Sequence, residues 1–237
     1  MKNSFAFTLA ETLIVIGIIG VVAALTLPNL NSSTGDKEKV VKLQKLYSNM
    51  NDALGRVQAV YGPINTWPKD GNHTERFMNR LFEFMKVTIV CSMGDSSKTC
   101  WSESLSGQPN YGSFITADGS GVFVFASFNC DQATTVSGDK SCGSIKIDID
   151  GPHKGKNEYG IDMFYFAIAE KQGIIPNHSR EFNNISWINY PTTCFSWHPY
   201  CTAWVIENGN MDYLKANSQG KCNNSDVTLS ETVTSCK

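Results

Sequence analysis

The chain has 237 residues, and 20 Lys plus Arg stand against 22 Asp plus Glu for a formal charge of −2. That length suits one sizeable domain or two small ones, and the lack of a cationic surplus argues against nucleic acid as a main partner. With 41% hydrophobic, 11% aromatic and only 18% charged residues the composition is that of a packed protein and excludes a disordered one.

The first 30 residues, MKNSFAFTLAETLIVIGIIGVVAALTLPNL, hold the one strongly hydrophobic stretch in a chain of mean hydropathy −0.21. As a helix, residues 7–27 would extend about 30 Å, the thickness of a hydrocarbon core. Lys2 and the amino group are the positive charges ahead of it and no acid precedes it, which predicts a cytoplasmic leader with the remainder outside. Glu11 interrupts the apolar run. A carboxylate there costs about 2.5 to 3.5 kcal/mol on insertion scales, so such residues are kept for a partner. The nearest downstream basic residue is Lys37. The compensating charge is therefore expected from another chain or from a newly made α-amine.

The short leader ending in Ala6, the Phe7-Thr8-Leu9 start, Glu11 five places into the mature chain, and Gly17, Gly20 and Pro28 along the helix form a known pattern. It resembles the class III signal and N-terminal helix of type IV pilins and type II secretion pseudopilins. Ala6 stands where that family usually carries Gly. The resemblance implies a leader of residues 1–6, cleavage between Ala6 and Phe7 by the prepilin peptidase, an aspartyl enzyme of the membrane, and N-methylation of Phe7. It also implies that Glu11 neutralises the amine of a neighbouring Phe7 during assembly, and that Gly17, Gly20 and Pro28 soften the helix. The implied partners are other pilin or pseudopilin subunits, the peptidase and an inner-membrane assembly platform. The implied location is a single pass of a bacterial inner membrane, with the C-terminal domain outside the cytoplasm, then a periplasmic or cell-surface filament. A secretory signal peptide cut near Val22-Ala23-Ala24 and a simple membrane anchor are the alternatives, and neither gives Glu11 a role.

After Pro28 the polar NLNSSTGD and the missing proline N–H predict a kink or a melted stretch, with Ser33 and Asp36 restarting the helix near Gly35. Residues 28–62 then read as a kinked continuation. Val40, Leu43, Tyr47, Met50, Leu54, Val57 and Tyr61 recur at steps of three and four and lay down one apolar stripe. Packing on the protein's own sheet is expected of it, in preference to a coiled-coil partner surface. Gly62-Pro63 ends the helix, residues 68–72 form a loop, and residues 75–87 read as a second helix with Phe77, Leu81, Phe82 and Met85 on one side. Residues 113–117, an Asp118-Gly119 turn and residues 122–128 predict a hairpin; residues 144–149 give a third strand, and residues 163–170 and 173–175 extend the sheet. TAWVIENGNMDYL, near the C-terminus, reads equally as a helical turn or a buried strand.

Helices first and antiparallel strands after, without βαβ units, make an α+β fold. The expected architecture is a long N-terminal helix, membrane-spanning in its first half, packed on an antiparallel β-sheet domain with disulfide-closed loops. Residues 63–237 form its extracytoplasmic globular part.

Eight cysteines follow position 90 and none precedes it. Eight allow 105 connectivities. Closing the shortest loops favours Cys91 with Cys100, Cys130 with Cys142, Cys194 with Cys201, and Cys222 with Cys236. No CxxC is present, which argues against zinc. His73, His153, His178 and His198 show no paired spacing, Cys201 lies too near His198 in sequence for the usual nucleophile pair, and GxSxG, Walker and GxGxxG motifs are absent, so an enzyme is not expected. No cofactor is required. Asp148, Asp150, Asn157 and Asp162 could offer calcium hard oxygens from a glycine-rich loop, although Pro152 breaks the EF-hand spacing and Asx turns explain the same residues. Calcium-binding loops of this composition also occur in some pseudopilins. Trp67, Trp101, Trp187, Trp197 and Trp204 are either core residues or the platform of a membrane-anchored binding module that recognises a sugar or a protein.

Overall fold

The computed structural model describes residues 9–131, 139–177 and 191–237, without the side chains of residues 23–34. The chain forms two compact units, one ending at Glu38 and the other beginning at Lys39. Helix α1 (Leu9–Tyr61) starts in the first and ends in the second. Its helical backbone carries through Pro28 and the NLNSSTGD segment, where a melted stretch was expected. One absent N–H removes one backbone bond, and the helical turns on both sides carry the backbone across that gap.

In the second unit six strands make one antiparallel sheet in chain order: β1 (Val87–Val90), β2 (Tyr111–Thr116), β3 (Gly121–Ala126), β4 (Ser141–Asp148), β5 (Met163–Ala169) and β6 (Gly173–Pro176). Each strand pairs with its sequence neighbour, so every connection is local. The pairings Phe114 with Val122, Val122 with Ile147 and Ile147 with Phe164 form one cross-strand row, and Val124, Ile145 and Phe166 form the next. Side chains alternate between faces, so both rows point to the same side. Val40, Leu43, Leu46, Met50, Ala53, Leu54 and Val57 of α1 share a core with them. Tyr47 stacks on Phe166 with ring centroids 5.4 Å apart. The apolar stripe is thus spent inside its own domain, each fully buried Leu or Val contributing about 1.5 to 3 kcal/mol. Leu46 and Ala53 widen it beyond the single line read from the sequence, and Tyr61 at its end is exposed.

Two local features depart from expectation. Helix α2 (His73–Phe82) is capped by the Asn72 side chain, which accepts the Glu75 N–H at 3.2 Å, and it stops at Phe82 where Val87 was expected. The β-branched run Val87, Thr88, Ile89 and Val90 pairs with β2 as the edge strand β1, which a helix through Val87 would forbid. The hairpin between β2 and β3 forms as read, with Asp118 accepting the Thr116 hydroxyl at 2.5 Å and the Ser120 N–H at 3.3 Å. Strand β4 bulges between Ser141 and Gly143, and Gly143 holds φ +140 with the carbonyl oxygen of Phe125 2.1 Å from where a Cβ would sit. Only glycine fits there.

A smaller core of Trp101, Leu105, Phe123 and Met163 lies apart from the main one. Beyond β6, the short helices α3 (Thr192–Ser196) and α4 (Thr202–Asn208) precede a 3₁₀ turn at Asp212–Lys215, so TAWVIENGNMDYL forms two helical pieces joined at residues 209–211 and no strand. All eight cysteines are bonded, Cys91–Cys100, Cys130–Cys142, Cys194–Cys201 and Cys222–Cys236, closing loops with sequence separations of 9, 12, 7 and 14.

Among the described residues, the edge of β6 away from β5 is held by a side chain. Asn51 of α1 donates to the Ile174 carbonyl and accepts the Ile174 N–H, both at 2.9 Å. Asn51→Ala is expected to lower stability by about 1 to 3 kcal/mol through two unmet backbone groups. Urea denaturation of the full chain in detergent measures it, and an unmoved midpoint would show that the edge holds without Asn51.

Candidate functional site

In the first unit, Leu13, Ile14, Val15, Ile16, Ile18, Ile19, Val21 and Val22 are each more than half exposed, at 52–66%, and Leu9 reaches 81%. Consecutive positions point in every direction around a helix, so this segment is apolar on all sides. Apart from the helix's own neighbouring backbone, no heavy atom lies within 4 Å of a Cβ built on Gly17 or Gly20. Glu11 is exposed in the first turn of α1, where the positive end of the helix dipole favours a carboxylate. Ala6 and Phe7 lie outside the described residues, as do the side chains of residues 23–27 and of Pro28. Among the described residues no helix is long and apolar enough to cross a membrane.

In the second unit the four candidate calcium ligands, Asp148, Asp150, Asn157 and Asp162, lie on the glycine-rich segment that joins β4 to β5. The Asp162 carboxylate accepts three successive backbone N–H groups, from Lys156 at 2.5 Å, Asn157 at 3.0 Å and Glu158 at 2.6 Å. Asp148 accepts the Gly151 N–H at 3.1 Å through Oδ1, while its Oδ2 is buried with no hydrogen-bond partner. Asp150 faces the Lys39 ammonium at 3.5 Å. A Cβ on Gly155, at φ +68, would meet Asp162 Oδ2 at 2.4 Å and Asp150 Oδ2 at 2.8 Å, so the two carboxylates close on a backbone that only glycine can supply. Asn157 adopts φ +54, and its Oδ1 is also buried without a partner. Burial, then the Asp162 carboxylate, push the Asp148 carboxyl up to about 6.

Calcium asks for six to eight oxygens. Here the Asp162 oxygens serve N–H donors and Asp150 faces an ammonium, while Asp148 Oδ2 and Asn157 Oδ1 are the loop's buried side-chain oxygens without a hydrogen-bond partner. Among the described residues no three His, Cys, Asp or Glu are grouped so as to hold a metal ion. The donor set does not fit calcium as it stands. The sequence reading missed the lysines that reach this loop from α1: Lys39 donates to the Ile161 carbonyl at 3.4 Å and Lys42 donates to that of Ile149. Their three-residue spacing beside Val40 and Leu43 was the available signal.

Among the described residues the tryptophans do not come together as a platform. Trp67, Trp101 and Trp204 are buried in the core, Trp197 is exposed with Tyr200 edge-on at 4.5 Å, and Trp187 lies outside the described residues. Among the histidines, His73 stacks on Phe128, accepts that residue's N–H at 3.1 Å and meets the Lys69 carbonyl at 2.9 Å, while burial pushes His198 below its usual range. His178 is outside the described residues. Cys201 is bonded to Cys194 and offers His198 no thiol.

The raised Asp148 carboxyl makes stability depend on pH. Its folded value, about 6, lies above the ordinary 3.8, so the native state binds the proton more tightly than the unfolded chain does. The contribution of this group to stability therefore falls as pH rises from 3.8 towards 6, and its destabilising effect is complete above that. Asp148→Asn is expected to melt higher than the wild type at pH 7, with the gap narrowing at pH 5 and closing only as the pH falls to about 3.8. A gap independent of pH, read by thermal melts at these values, would assign the effect to something other than this ionisation. No protein-family model, curated protein or solved structure significantly matches the chain.

Proposed function

We propose that this chain is a structural subunit of a type IV pilus-like or type II secretion-like filament, a pilin or pseudopilin, cut before Phe7 and assembled through its N-terminal helix. The observation that carries this reading is a helix apolar on every side over residues 9–22 with one carboxylate, Glu11, in its first turn. Such a surface needs lipid around it or other helices against it. A filament subunit needs both in succession. In the membrane, residues 7–27 span the hydrocarbon with the leader on the cytoplasmic side, and the unit that begins at Lys39 stands outside. During assembly the apolar faces leave lipid for the helices of neighbouring subunits.

Glu11 then selects the register of the incoming copy. Cleavage before Phe7 places a methylated, positively charged amine at the head of each mature helix. Two opposite unit charges about 4 Å apart attract by about 4 kcal/mol at an effective dielectric of 20, comparable with the cost of placing the carboxylate in lipid. The contact therefore suits only a neighbour whose terminus meets Glu11. The four disulfides fit an oxidising compartment outside the cytoplasm. The prepilin peptidase and an inner-membrane platform are the partners this route requires.

Mass spectrometry of the mature N-terminus is expected to find N-methylated Phe7. A retained Met1, or a start after Ala24, would overturn the reading. Glu11→Ala is expected to cut cross-linking between neighbouring N-terminal helices at least tenfold, while the melting temperature of the globular unit stays put. Undiminished cross-linking in the variant would remove the charge-pairing step.

A further inference from the structure

The loop between β4 and β5 has a closed neck, where the Ile149 N–H donates to the Asp162 carbonyl at 2.9 Å. At and within that neck stand the carboxylates of Asp148, Asp150 and Asp162, with Asp148 and Asp162 fully buried and Glu158, the fourth carboxylate of the segment, exposed. So much negative charge at one place needs a cation or an equivalent set of donors. Three backbone N–H groups answer Asp162. What answers Asp150 is not local to the loop at all.

The geometry points to Lys39 as the resident cation of this loop, its ammonium closing the segment from Asp148 to Asp162 where an acidic, glycine-rich loop would otherwise call for a bound metal ion. The ammonium sits 3.5 Å from Asp150 Oδ2 and 3.4 Å from the Ile161 carbonyl, touching both arms of the loop. One turn on, Lys42 donates to the Ile149 carbonyl, which the Ser120 hydroxyl also reaches at 3.2 Å. The carbonyls at the two ends of the loop, oxygens a hard cation would use, are thus turned to two lysines of one helix. An ammonium has three N–H donors and is satisfied by few acceptors, whereas calcium needs at least six oxygens. The lysine therefore holds this loop with contacts too few for a metal. Lys39 and Asp150 keep about a quarter of their side-chain surface, 24% and 28%, enough shelter to limit screening by salt. Folding of the loop is then tied to the docking of α1 and independent of divalent ions.

The test uses the full chain in detergent and does not depend on filament assembly, so it stands or falls apart from the function proposed above. Amide hydrogen exchange is followed at Lys156, Asn157 and Glu158, the three donors to Asp162, and the melting temperature is read in EDTA and in millimolar calcium. The wild type is expected to give the same exchange and the same melt in both. Lys39→Met is expected to speed exchange at the three amides at least fivefold, and Lys39→Arg to restore most of the protection. In the Asp150→Asn background, Lys39→Met is expected to lose most of its effect, since its charge partner is gone. Slower exchange or a higher melt of the wild type in calcium would overturn the inference by showing a native metal site. So would exchange in Lys39→Met no faster than in the wild type.

Discussion

Seven side chains of α1, Val40, Leu43, Leu46, Met50, Ala53, Leu54 and Val57, share one core with residues of β2 to β6, and that helix-on-sheet contact organises the globular unit. A sheet with one apolar face is unstable until something covers it. The helix that covers this one also supplies its polar fastenings. Asn51 completes the outer edge of β6, Gln44 donates to the Ile206 carbonyl of α4 at 3.2 Å, and Lys39 and Lys42 reach the loop between β4 and β5. Strand, C-terminal helix and loop are therefore ordered against the same rigid element. The disulfides act differently. Each closes a short local loop, and the longest spans a sequence separation of 14, so they limit the unfolded chain and leave the long-range assembly to the core.

What could be read from the sequence divides along the same line between local and distant contacts. The hairpin at Asp118-Gly119 was legible because turn chemistry and alternation are properties of a few adjacent residues. Sequential cysteine pairing was legible because short loops close most readily. The antiparallel character of the sheet was legible in the absence of βαβ units. Strand β1 was hidden because four residues next to a helix carry too little periodicity to compete with the helical stripe of Phe77, Leu81, Phe82 and Met85. Pro28 was read as a break because proline is the strongest local punctuation, yet one lost backbone bond did not end a helix of 53 residues. The acidic loop was legible as a cluster of oxygens, but the lysine that answers it lies 111 positions from Asp150 in the chain. No spacing rule joins Lys39 to Asp150.

The buried acids of the globular unit show how this protein treats a carboxylate taken from water. Asp162 is met by three backbone N–H groups. At Asp212 burial raises the carboxyl, but the Lys215 ammonium, the Cys236 N–H and the Ser235 hydroxyl outweigh it and hold the group below its ordinary range. At Asp148 the backbone N–H groups of Gly151 and Asp150 pull the carboxyl down, but burial and the Asp162 carboxylate outweigh them and it rises. The contrast between Asp212 and Asp148 follows the charge of the groups around them, as hydrogen bonding and Coulomb attraction require.

Glu11 belongs in this series under harsher conditions, because a hydrocarbon surrounding would raise the cost of its charge beyond anything met in the globular unit. The two devices used elsewhere are a nest of backbone N–H groups and a cation close by. The first turn of a helix supplies a version of the first, since its leading N–H groups have no partners within the helix and their dipole favours an anion. It does not supply full charge. An α-amine does, and cleavage before Phe7 would create one at the start of every mature helix, only four residues ahead of Glu11 in sequence. In the proposed subunit the amine and the carboxylate would then lie at nearly the same depth in the membrane on every copy. Two copies displaced along the proposed filament by a few residues would bring the amine of one to the carboxylate of the other without moving either unlike charge far from the membrane surface. On this argument the position of Glu11, close to the new terminus and ahead of the long apolar run, matters as much as its charge. The same carboxylate deeper in the helix would need a larger displacement between neighbours and a costlier insertion.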